Sequence, residues 1–96
     1  MNKEIVNEKE RDKIAPNLML FYNPECPYCK KVLGFLEKIN KDIPKRNTAS
    51  DLNAKNELMQ VGGKTQVPCL LINGKALYES QDIINWFLEH QNELQL

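Results

Sequence analysis

Leu18-Met19-Leu20-Phe21-Tyr22 is an uninterrupted apolar run, bounded by Pro16-Asn17 on one side and Asn23-Pro24 on the other. A run of this length between turn formers reads as a strand. Because it lacks polar alternation, it suits a strand covered on both faces, and such strands belong to parallel or mixed sheets with helices packed against them. Every later segment has to fit an α/β frame built on this strand.

From Pro27 the period changes. Val32, Leu33, Leu36 and Ile39 recur at three- and four-residue spacing, with Lys30, Lys31, Glu37 and Lys38 on the other side, which predicts a helix from about Pro27 to Asn40. Proline is favoured at a first helical position, so Cys26 falls at or near the N-cap. Residues 43–48 read as an edge strand with Pro44 near its start, where a missing N–H is tolerated. Ser50 or Asp51 then caps a second helix running to about Val61, with Leu52, Leu58 and Met59 expected inward and Gly62-Gly63 ending it. Residues 67–72 form a further apolar strand, Asn73-Gly74 is a strong hairpin signal, and residues 75–79 return as the partner strand. Ser80, followed by Gln81-Asp82, reads as the N-cap of a last helix with Ile83, Ile84, Phe87 and Leu88 on its apolar face.

The element order is thus βαβαββα. The first βαβ unit requires a right-handed crossover and a parallel pair, and the Asn-Gly turn makes the last two strands antiparallel. A mixed four-stranded sheet flanked by three helices follows. Residues 1–16, rich in alternating charge, read as a solvated N-terminal extension, and residues 17–96 as one domain.

Thirteen basic and thirteen acidic residues leave no net field to attract nucleic acid or an anionic membrane. No apolar run approaches the ~20 residues that span a bilayer, and the N-terminus lacks a secretory apolar core, so a cytoplasmic protein is expected. In such a protein a close Cys-x-x-Cys is more often catalytic or metal-binding than a structural staple.

Cys26 and Cys29 form that pair. Disulfide exchange needs a thiolate, and a helix start supplies one: first-turn N–H groups and the helix dipole stabilise negative charge at Cys26, with Lys30 and Lys31 expected to add positive potential. Cys26 is the expected attacking thiolate. Cys29, one turn further on beside Val32 and Leu33, should be more buried and stay protonated until it resolves a mixed disulfide. The metal alternative has Cys69 and the single histidine, His90, as further donors, without the paired-ligand spacing of zinc modules, so no metal is expected. A purely packed pair is the third reading. Cys69 itself reads as a small buried hydrophobe, and for Val67-Pro68 the residues alone favour a trans bond.

Cys26-Pro27-Tyr28-Cys29 after a strand, Gln66-Val67-Pro68 opening another, and Glu79-Ser80-Gln81-Asp82 starting the last helix together resemble the glutaredoxin family, over roughly residues 17–91. The resemblance implies a thioredoxin-like fold and a cis Val67-Pro68 bond facing the cysteine pair. It also implies a glutathione-dependent thiol–disulfide oxidoreductase that reduces protein disulfides and glutathione mixed disulfides, as a monomer, with glutathione as co-substrate and no bound cofactor. Glutathione would pair along the backbone of Val67, flanked by Gln66 and Pro68. Tyr28 would flank its sulfur, its γ-glutamyl end would meet Glu79, Ser80 and Gln81, and Lys64 or Lys55 would receive its glycine carboxylate. The chain departs from the common pattern in having Gln66 for a threonine, Asn23 for a lysine, and Tyr78-Glu79 for a glycine pair; Glu79-Ser80 is similar to the γ-glutamyl site of glutathione transferase N-terminal domains. Two alternatives share the site: an iron–sulfur cluster held between two chains by Cys26 and glutathione, and a thioredoxin-like reductase fed by a flavoenzyme.

Overall fold

The computed structural model describes residues 16–90, so the expected extension at residues 1–16 lies almost entirely outside the described residues. β1 (Leu18–Tyr22) is central. It pairs in parallel with β2 (Lys45–Asn47), Leu20 opposite Lys45, and antiparallel with β3 (Cys69–Ile72), Phe21 opposite Cys69. β3 pairs antiparallel with β4 (Lys75–Tyr78), giving the order β2-β1-β3-β4. The helices are α1 (Pro27–Lys38), α2 (Leu52–Gly62) and α3 (Ser80–Glu89). The βαβαββα order and the mixed four-stranded sheet are as the sequence predicts. None of the described helices is long and apolar enough to cross a membrane.

Successive strand residues point to opposite faces, and both Leu20 and Phe21 are fully buried. Leu20 packs in a cluster with Val32 and Leu36 of α1 and Ile83, Ile84 and Phe87 of α3. Phe21 packs in a second cluster with Leu58 of α2 and Cys69. Two helices therefore cover one face and α2 alone covers the other.

A lone helix needs only a narrow apolar stripe, which is where the sequence reading of α2 fails. Its buried residues are Ala54 and Leu58, one turn apart, whereas Leu52 is 70% exposed and Met59 48% exposed. At ~100° per residue Leu52 lies about 160° around the helix from Ala54, and Met59 is a full step beyond Leu58. Leu88 is likewise 51% exposed, one step past the buried Phe87.

The caps follow the sequence more closely. Asp51 accepts from the backbone N–H groups of Asn53 (3.0 Å) and Ala54 (3.3 Å), and Gly63, at φ 83°, donates to Met59 O and closes α2. Arg46 ties the β2 edge to this helix through Glu57 (2.6 Å) and Asp51 (3.6 Å). α1 ends at Lys38, two residues earlier than expected. β3 starts at Cys69, leaving Val67-Pro68 outside the ladder because proline has no N–H to give. Ser80 is not an N-cap: Glu79, at φ 75°, takes that place without a side-chain cap bond, and Ser80 is the buried first residue of α3.

This packing separates two leucines of the same helix. Leu58→Ala should cost about 2–5 kcal/mol of stability, and Leu52→Ala no more than about 0.5 kcal/mol. Denaturant unfolding of the two variants checks the assignment, and comparable losses would contradict it.

Candidate active site

The registers fix where the chemistry collects. Phe21 stands opposite Cys69 and Cys69 opposite Tyr78. The end of β1, the start of β3 and the end of β4 therefore share one edge of the molecule. The loop into α1, the Val67-Pro68 peptide and the start of α3 all emerge there, and the Val67-Pro68 bond is cis, as the resemblance implied.

The loop into α1 is organised by Asn23. Its side-chain Oδ1 accepts from Glu25 N–H (2.9 Å), its carbonyl accepts from Cys26 N–H (3.0 Å), and its own N–H donates to Cys29 Sγ (3.4 Å). One residue thus shapes the turn and addresses both cysteines. Sequence reading treats Asn23 only as a replaced lysine and the edge of a turn. The signal was present in Asn23-Pro24, since asparagine bonds its own backbone two residues on.

Cys26 is the N-cap of α1, at extended φ/ψ, with Pro27 behind it, as predicted. It is partly exposed, while Cys29 is fully buried, and both thiols are free. Desolvation works against the Cys26 thiolate but is outweighed by the Cys29 N–H, the Cys29 thiol and the Tyr28 N–H, so its pKa is lowered. At Cys29, desolvation dominates, and the hydrogen bond to Cys26 and the charge on Cys26 raise it further, against the Asn23 N–H, to about 11. The asymmetry read from the sequence is therefore present. Its source is the helix start and the second thiol; of the two lysines expected to help, Lys31 is engaged elsewhere, donating to Gln81 Oε1 (3.0 Å).

Two of the remaining predicted residues are tied to each other. Gln66 Nε2 donates to Glu79 Oε2 (3.3 Å), bridging the cis-proline loop and the start of α3. Gln81, besides its bond from Lys31, donates to Asn85 Oδ1 (3.1 Å). Val67 packs its side chain against the Phe21–Leu58–Cys69 cluster. Tyr28 is 65% exposed beside the cysteines. Glu79, the N-cap of α3, makes no side-chain cap bond to the first-turn N–H groups. Of the two lysines suggested for a carboxylate, Lys64 sits with Nζ 4.4 Å from the centre of the Tyr78 ring.

Among the described residues no cluster of three or more His, Cys, Asp or Glu is placed to hold a metal ion. Cys69 is buried, as expected of a small hydrophobe, and burial raises its pKa. A groove of about 580 Å³, lined by Lys30, Gly34, Glu37 and Asn40 among others, runs along the outer side of α1 and includes neither cysteine.

A glutaredoxin family model matches residues 18–77, well over half of the chain. Over 60 residues the chain is 28% identical to an uncharacterized glutaredoxin-like 8.6 kDa protein of the rubredoxin operon of Clostridium pasteurianum, covering 62% of this chain and 80% of that one. In fold it is similar to buckwheat glutaredoxin, solved as a complex with glutathione (TM-score 0.61, 17% identity, 95% of this chain and 84% of that chain). It is also similar to glutathione transferase Omega 3C of Trametes versicolor (TM-score 0.68, 22% identity, 95% of this chain and 41% of that chain). With its cysteine pair at a helix start, its cis proline and this family match, the chain belongs to the glutaredoxin family.

Proposed function

We propose that the chain is a glutathione-dependent thiol–disulfide oxidoreductase acting on protein disulfides and on glutathionylated proteins. Family and fold support the thiol–disulfide chemistry. The observation that carries the reading is the division of labour at α1: a partly exposed Cys26 with a lowered pKa beside a buried Cys29 held near 11.

With a glutathionylated protein, the Cys26 thiolate attacks the glutathione sulfur, and the protein leaves as a thiolate that takes up a proton. A second glutathione thiolate then attacks the glutathione sulfur on Cys26. The product is glutathione disulfide, and Cys26 returns to the thiolate. With a protein disulfide, Cys26 forms a mixed disulfide and Cys29 attacks Cys26 Sγ, releasing the reduced protein and leaving a Cys26–Cys29 disulfide. Two glutathione molecules reduce that bond. Cys29 is released for this step by the step before it: once Cys26 is in a disulfide, its charge and the thiol–thiolate hydrogen bond, both of which raise Cys29, are gone.

Glutathione as donor is supported by the second arm of the site. The backbone at Val67, which lies outside the β3 ladder, suits pairing with an extended peptide. The uncapped first turn of α3 suits a γ-glutamyl carboxylate, and Tyr28, Gln66, Pro68, Glu79, Ser80 and Gln81 border the path between them.

Cys26→Ser should abolish turnover of a glutathione mixed disulfide with glutathione as reductant. Cys29→Ser should keep part of that activity while losing protein-disulfide reduction; equal loss in both variants would contradict the roles. Turnover only with a flavoenzyme donor, and none with glutathione, would overturn the glutathione reading.

The pH dependence has a definite sign. Since the thiolate is the reactive form, alkylation by iodoacetamide should rise through a midpoint below that of an ordinary cysteine, and the buried Cys29 should be modified only after Cys26. Cys29→Ala deletes a donor to the thiolate and should move the Cys26 midpoint upward. A midpoint that stays put would assign the lowering to the backbone N–H groups alone.

A further inference from the structure

One of the chain's departures from the family pattern, Tyr78, reaches the 64–68 segment. Tyr78 stands where a glycine is common. Its hydroxyl donates to Lys64 O (2.9 Å), and its ring lies under Lys64 Nζ. The phenol reaches that carbonyl by passing over Gly62: a Cβ built there would overlap the Tyr78 hydroxyl and lie 2.9 Å from Cζ. Any other residue at 62 would push the ring away.

Cys69 immediately follows cis Pro68, is opposite Tyr78 in the sheet, and belongs to the buried cluster against which both Val67 and Tyr78 pack. Tyr78 thus holds the stretch 64–68 at its first residue through a carbonyl and near its last through shared packing with Val67 and Cys69.

We propose that Tyr78, seated over Gly62, is a positioning residue that fixes the 64–68 segment so that the Val67 backbone is presented to an extended disulfide substrate. It touches neither the cysteine pair nor the substrate. The inference rests on the reading of Val67 as the substrate-pairing residue. The cost of losing the hold falls on binding, because a segment free to move must be ordered by the substrate. The thiolate at Cys26, stabilised by α1 itself, is unaffected.

Tyr78→Phe keeps the ring over Lys64 and removes only the hydroxyl. Loss of one such hydrogen bond predicts a rise in KM of roughly fivefold, with kcat within about twofold and the Cys26 alkylation midpoint unmoved. Amide hydrogen exchange across 64–68 should quicken by a similar factor. Gly62→Ala, which displaces the ring, should raise KM in the same direction. KM is read separately with a glutathione mixed disulfide and with a protein disulfide. A wild type that reduces only the protein disulfide defeats the glutathione reading and leaves the Tyr78 comparison standing on that substrate. Unchanged KM in Tyr78→Phe overturns the proposal, whether exchange is unchanged or quickened, since Tyr78 would then serve stability alone.

Discussion

The molecule depends on β1 being covered from both sides. Leu20 and Phe21 are adjacent, point to opposite faces and are both removed from water, which requires a helical layer above and below a single sheet. Pairing β1 with β2 on one side and β3 on the other gives its backbone polar groups partners on both edges. Once that strand is fixed, its register with β3, and that of β3 with β4, brings the cysteine loop, the cis-proline peptide and the start of α3 to one edge. The active edge is a consequence of the central strand's burial.

At that edge the two thiols are made different by position alone. Both lie at the start of one helix, yet Cys26 is its N-cap and Cys29 is one turn inside. The cap position receives N–H groups, and the inner position loses water. Each sulfur also acts on the other: a protonated Cys29 is a donor that steadies the Cys26 thiolate, and that thiolate discourages ionisation of Cys29. The pair is self-reinforcing while Cys26 is free and relaxes when Cys26 becomes bonded. A charged neighbour supplied from outside the helix would act without regard to the state of the pair; mutual coupling changes with each step of the exchange.

How far the sequence foretold this differs by residue, for physical reasons. The βαβαββα order, the Asp51 cap, the Gly63 and Asn73-Gly74 turns and the Cys26/Cys29 pair depend on neighbours within a few positions, and they were legible. Leu52, Met59 and Leu88 were misplaced inward because apolar character fixes which residues can be buried, whereas the number of helices on a face fixes how many are. With α2 alone on its side, a stripe of Ala54 and Leu58 suffices. Ser80 was misread as a cap because the sequence shows a favoured capping residue but not the positive φ of Glu79, which completes the turn one residue earlier. The cis bond at Val67-Pro68 was available only through resemblance. The partnership of Tyr78 with Gly62 joins residues sixteen positions apart, and no local pattern announces it.

Those same nonlocal contacts show how the departures from the family pattern are accommodated together. A left-handed backbone suits glycine, and holding Glu79 at φ 75° costs on the order of 1–2 kcal/mol. In return its carboxylate accepts the Gln66 amide, which itself stands where a threonine is common. Tyr78 beside it fills the space above Gly62 and binds the Lys64 carbonyl. Lys31 and Gln81 join α1 to α3 across the other flank. The side chains of Gln66 and Glu79 thus connect the start of α3 to the cis-proline loop, while the lowered pKa of Cys26 is set separately by the helix on which it sits and by Cys29.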